Sequence, residues 1–325
     1  MLRMFYNEIS RIPTPSAGLA LGIASLGSIL ESILSVGGAA QVISAVLASV
    51  FLLGVFCKFL FHPHLIKEEL IHPVLGSILP TFTMALMVIS KAVGLYSQCL
   101  WQTIWFIAVI GHLFLLAVFV RHNIRHFKIE HVLPSWFIPT VGIIAAALTS
   151  PGGIFSGLAT TAMFLGLVNF AVALPIVIYR MLFLPRPADN AKPTIAVMAA
   201  PASLSLAGYL SIERDPSILL CGILLCFAIV LTGAVYVIIP RLLMRLSPNP
   251  GFAGFTFPLV ISATALYKTY DVFSVNPAIM QYVEKLRWIA AIELIIAVII
   301  VSYVFFVYIK SCIAVYRKKE YPNHN

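Results

Sequence analysis

The chain has 325 residues, of which 61% are hydrophobic and only 10% charged, and it carries a formal net charge of +9. A soluble domain holds about 25% charged residues, so the composition excludes a soluble globular fold and predicts an all-α integral membrane protein. Five cysteines (Cys57, Cys99, Cys221, Cys226, Cys312), with no CxxC pair, argue against a disulfide framework or a zinc site. The polar start, MLRMFYNEISRIPTP, is not expected to act as a cleavable signal peptide.

In chain order the apolar runs predict ten membrane spans, at about 14–34, 41–61, 73–94, 98–120, 134–150, 154–183, 193–212, 217–243, 251–271 and 286–312. They form a single transmembrane domain over 1–325, with short tails at about 1–12 and 313–325. The connections after spans 2, 4, 6 and 8, together with both termini, hold 16 of the 21 Lys and Arg residues. Lys91, Arg214, Lys268, Lys285 and Arg287 are left for the other side. The positive-inside rule then predicts a multi-pass protein of the inner (plasma) membrane with both termini cytoplasmic. An even number of spans agrees with termini on one side. Spreading the basic charge over six segments gives no single patch for nucleic acid, and none is predicted as a partner. Membrane lipids are. His62, His64 and His72, and His122, His126 and His131, fall in solvated basic loops where anionic headgroups are expected. No metal or cofactor is predicted.

The odd spans share a pattern. Spans 3, 5, 7 and 9 each begin near one proline and carry a second a turn or two later: Pro80, Pro139, Pro201 and Pro258. All five odd spans are rich in Gly, Ala, Ser and Thr, including span 1 with Pro13 and Pro15. An interior proline lacks its N–H and clashes with the carbonyl four residues back, which predicts a kink in each. Small residues let backbones approach closely. Spans 2, 4 and 10 are bulkier, and span 6 carries Pro175. The pattern predicts five helical hairpins, with kinked odd helices inside and even helices against lipid.

Span 9 reads NPGFAGFTFPLVISATALYKTY over 249–270 and places Gly254, Phe257, Ile261, Thr264, Ala265 and Lys268 on one face. Phe257 is the bulky aromatic of that face, next to Pro258, where a kink swings it toward the bundle axis. The odd spans hold no acid in their interiors, and Lys91 and Lys268 stand at their external ends at similar offsets from Pro80 and Pro258. A conduit without fixed negative charge and with lysines at its mouth prefers anions. Glu293 is an acid within outer span 10, placed to bond an adjacent helix or a neighbouring subunit.

The five hairpins, with IPTPSAGLALGIASLG, APASLSLAGYLS and GFTFPLVISATALYK, resemble the tellurite-resistance/dicarboxylate transporter family. That family includes bacterial tellurite-resistance proteins, fungal malate and sulfite transporters, and plant slow anion channels. The resemblance covers nearly the whole chain. It implies a ten-helix, quasi-five-fold bundle around a central pore, a homotrimer with one pore per subunit, and an occluding phenylalanine at Phe257 of the TFP sequence. The TFP form is closer to the plant channels than to the bacterial members, where glycine is expected in place of the proline. Two functions are expected. One is an anion channel for small inorganic or organic anions, gated by Phe257. The other is a proton-coupled carrier or efflux pump for sulfite, tellurite or a C4-dicarboxylate such as malate. Proton coupling wants a titratable group on the path, and the odd-span interiors offer none, which favours the channel. No constellation of His, Asp, Glu or Ser on facing spans points to an enzyme.

Overall fold

The computed structural model describes residues 2–275 and 280–320, with side chains over 6–275 and 280–311. Among the described residues there is no strand, and ten apolar helices follow the predicted spans. They are α1 (Ser16–Leu34), α2 (Ala39–Phe61), α3 (Leu75–Val93), α4 (Gln98–Arg125), α5 (Pro134–Leu148), α6 (Gly153–Phe183), α7 (Lys192–Ile212), α8 (Ile218–Arg245), α9 (Pro250–Phe273) and α10 (Met280–Ser311). Nine are long and apolar enough to cross a bilayer, which makes the chain a multi-pass membrane protein; α5 is shorter than the rest. The α10 helix starts earlier than the sequence predicts and runs on to Glu320, so the predicted tail from 313 is helical as far as it is described. Its end, with Asn325, lies outside the described residues.

Burial separates odd helices from even. The most apolar windows of α1, α3, α7 and α9 are 61–72% buried, against 33–39% for α2, α4, α6, α8 and α10. The contacts explain the split. Helix α1 packs on α3, α3 on α5, α5 on α7, α7 on α9, and α9 returns to α1, closing a ring. Each even helix packs on the odd helix before it and on the one after it. It therefore sits in the groove between two inner helices and turns side chains such as Val50, Phe114 and Phe164 outward.

The prolines predicted to kink the inner helices fall at or near the points where the regular α-winding begins or is interrupted. In α9 a 3-10 helix covers Pro250–Phe255 and the α-helix begins at Thr256, so Pro258 falls in its first turn. There the missing N–H costs nothing, because first-turn donors have no partner in the helix. Pro201 likewise sits at the start of the α-helix Ala200–Ile212, after a 3-10 helix over Lys192–Ala199. Pro80 caps the α-helix that begins at Thr81. Pro139 lies in the short α-helix Phe137–Val141, and α5 alternates 3-10 and α turns to its end. By contrast Pro175 and Pro240 lie inside continuous α-helices, in α6 and α8. Proline alone does not break a helix here.

Broken helices free carbonyls, and in lipid these must find protein partners. The even helices supply them. His112 of α4 places Nε2 3.2 Å from the Pro139 carbonyl oxygen, and Trp105 Nε1 donates to Ala146 at 3.2 Å. Asn169 of α6 donates to Thr140 at 2.8 Å, and Tyr308 of α10 donates to Pro250 at 2.6 Å. The polar residues of the outer helices thus stitch the breaks of the inner ones. At the turn between α1 and α2, Gly37 and Gly38 take positive φ, and the Glu31 carboxylate accepts from Gly38 and Ala40 N–H groups at 2.8 and 3.0 Å.

Candidate functional site

All five inner helices start at the end of the bundle where the basic connections lie, and their first turns surround a cavity of about 810 Å³. The last residues to line it are Leu21 of α1, Met84 of α3, Val141 and Gly142 of α5, Leu204 of α7, and Phe257 with Pro258 of α9. Leu21, Met84, Val141 and Leu204 are at most 2% exposed and Phe257 is 7% exposed. One apolar side chain from each inner helix therefore closes the inner end of the cavity. Phe257 is the largest of the five.

The wall nearer the open end mixes apolar residues with polar ones. It carries Thr14, Ser135, Asn190 and Thr194, with Arg11, His72 and Arg245 at the rim. Set into it is an ion pair. Lys58, in the last turn of α2, donates through Nζ to Glu69 Oε1 at 2.5 Å and to Thr14 Oγ1 at 3.0 Å. Thr14 Oγ1 donates in turn to Glu69 Oε2 at 2.5 Å. All three residues are buried, Glu69 reaching them from the short helix Pro63–Ile71. Sequence reading counted Lys58 only as a connection charge and passed over Glu69. A signal existed for Lys58, which continues the buried stripe Ala45, Ala48, Leu52, Val55 at helical spacing.

Among the predicted site residues, Gly254, Phe257, Pro258 and Pro201 line the cavity. A side chain at Gly254 would place its Cβ 3.1 Å from the Pro193 carbonyl oxygen, so the glycine lets the starts of α9 and α7 meet. Pro80 and Pro139 are buried behind the wall. Ile261 is buried and Thr264 half-buried, the latter donating to the Val260 carbonyl at 2.8 Å; both lie beyond the floor on α9. Lys91 and Lys268 stand at the opposite end of the bundle, exposed and half-buried respectively. Glu293 of α10 is buried and accepts from Ser262 of α9 at 2.5 Å, and the Ser262 hydroxyl is 3.1 Å from that of Thr232 of α8. It joins three helices on the far side of α9 from the cavity lining. Among the described residues no group of three His, Cys, Asp or Glu side chains is placed to hold a metal ion.

Known proteins with similar sequences identify the family. An uncharacterized transporter of Methanocaldococcus jannaschii is 27% identical over 249 residues, covering 69% of this chain and 72% of that protein. A sequence profile of the voltage-dependent anion channel family matches residues 13–309, a range that begins just before α1 and ends in α10. The chain therefore belongs to the voltage-dependent anion channel family, the tellurite-resistance/dicarboxylate transporter group that its hairpins and motifs resemble.

Proposed function

We propose that the protein is an anion channel of the inner membrane, in which the axis of the inner ring is the pore and Phe257 is its gate. The observation that carries this reading is the apolar floor, built from one side chain of each inner helix at the end of a cavity whose wall carries polar and charged side chains among apolar ones. An anion reaching that floor loses water to oily side chains that return no hydrogen bonds, so the pathway is closed while the floor is intact. Phe257 fills the most space in it. In this reading α5 also crosses the membrane, making ten spans in a quasi-five-fold bundle. Its mixture of 1.5 Å and 2.0 Å rises lets residues 134–148 reach roughly 22–30 Å, close to a bilayer core of about 30 Å. The basic end then faces the cytoplasm, both termini lie there, and the cavity is the cytoplasmic vestibule. Lys91 and Lys268 attract anions at the external mouth. Small inorganic or organic anions are the permeant species, and a homotrimer with one pore per subunit is the assembly.

The Lys58–Glu69 pair supports a second reading, a proton-coupled carrier for sulfite, tellurite or a C4-dicarboxylate. It supplies a titratable group on the cavity wall, which the odd-span interiors lack. Electrical recording separates the two. A channel gives steady currents in planar bilayers whose reversal potential follows the anion gradient. Electrically silent uptake driven by a pH gradient would replace the channel by the carrier.

A further inference from the structure

The sequence SRIPTPS before α1, the end of α2 and the connecting helix Pro63–Ile71 converge on one point of the cavity wall, and each delivers one polar side chain there. The geometry is that of a ligand in a site. Glu69 presents two carboxylate oxygens, one to the Lys58 ammonium and the other to the Thr14 hydroxyl, while Lys58 also donates to Thr14. A planar oxyanion arriving from solution would make the same two contacts with the same two donors.

A structural role accounts poorly for the arrangement. Buried ion pairs repay little of the cost of desolvating their charges, and apolar residues of similar volume often serve as well. This pair moreover lines the cavity, where its charges remain within reach of an entering ion.

We propose that Lys58 and Thr14 form a binding site for a small oxyanion, a carboxylate or a nitrate-like group, and that Glu69 is its built-in occupant. The site opens when Glu69 takes up a proton from the water in the cavity. The neutral carboxylic acid no longer competes for the ammonium, and the incoming anion takes the vacated contacts. Release of the anion and of the Glu69 proton restores the closed pair. Charge in the site is conserved, since one proton enters with one anion.

The neighbours of Glu69 are consistent with control by this single pair. Helix α2 brings Lys58 to it, and the segment before α1 brings Thr14, with Arg11 at the cavity rim. The first turn of α3, Leu75–Ile78, carries no titratable group. His72 follows the short helix, and α4 brings His122 and His126 to a separate cavity shared with His72.

The inference rests on anion passage through the cavity, and the experiment keeps the two apart. Protein is reconstituted in liposomes, and nitrate flux is measured against nitrate concentration at a series of pH values on the cavity side. When only the protonated fraction binds, apparent affinity falls about tenfold per pH unit above the transition. Wild type should show this dependence. Glu69→Gln should hold the tight, acid-form half-saturation at every pH. The double variant Lys58→Met, Glu69→Gln leaves no unpaired buried charge to unfold it, and should lose both the tight half-saturation and the pH dependence while still passing nitrate. If the double variant, or a folded Glu69→Gln, keeps the wild-type half-saturation and pH profile, the site is wrong. If wild type passes no nitrate at any pH, anion passage itself is wrong.

Discussion

The Thr256 hydroxyl lies 3.2 Å from the carbonyl oxygen of Gly18, tying the restart of α9 to the first turn of α1. The same hydroxyl is 2.7 Å from the Ala253 carbonyl, so one proton is shared between a contact across the ring and one within α9. Phe257 is the next residue. Its position is therefore set by the packing of the two helices that close the ring, as well as by Pro258 after it.

That coupling can be probed at Gly22. A Cβ there would come within 2.4 Å of Thr256 Oγ1, 2.6 Å of Thr256 Cβ and 3.2 Å of the Phe257 nitrogen. Gly22→Ala must push α1 and α9 apart, at a cost of about 1–3 kcal/mol for overpacking a close contact. We expect a lower melting temperature in detergent together with altered anion flux. Gly222→Ala, on α8 with open space at its Cβ position, should lower neither. Equal melting temperatures for the two variants would show that the α1–α9 contact does not hold the break.

The lysines at the end of the bundle away from the cavity give a test of selectivity. Replacing Lys91 and Lys268 together with Gln removes two neighbouring positive charges at the end of the bundle opposite the cavity. Exposed charges act through a field screened over about 10 Å at 0.1 M salt. Anion conductance should therefore fall at low ionic strength and change little at high ionic strength. An unchanged low-salt conductance would mean that the lysines only reach for water at the membrane surface.

Much of the architecture was readable from the sequence, because the features that make a helix inner or outer are local. Small residues around Gly18, Gly22, Ala202 and Gly208 mark helices that must approach others closely, while the bulky faces of α2, α4 and α6 mark helices that meet lipid. The mechanism of the breaks was less legible. A proline in a one-dimensional pattern looks the same whether it bends an α-helix or restarts one, and only the 3-10 turns over 192–199 and 250–255 distinguish the cases. The predicted face of α9 ran straight through from Gly254 to Lys268. In the structure Gly254 and Phe257 line the cavity while Ile261 and Thr264, one and two turns further along the same α-helix, lie past its floor. Lys58, Glu69 and Thr14 were invisible as a group. Their meeting depends on the folding back of a connecting helix, and no spacing rule relates residues 14, 58 and 69. Glu293 stood out as an acid in a span, but its partner Ser262 lies on another helix.

The most direct test of the account is the anion flux of Phe257→Ala in reconstituted liposomes, read beside its melting temperature. Phe257 is buried and lines the cavity, and on the proposed reading truncation removes both the bulk and the apolar face that hold the pathway closed. A gate predicts well-folded protein with flux raised above wild type, and Phe257→Leu between the two, since leucine keeps the apolarity but fills less space. An ordinary packing residue predicts the reverse, because Phe→Ala in a packed core costs about 3–5 kcal/mol. Raised flux with a nearly unchanged melting temperature is the result the account requires, and a lowered melting temperature with unchanged or lost flux would contradict it.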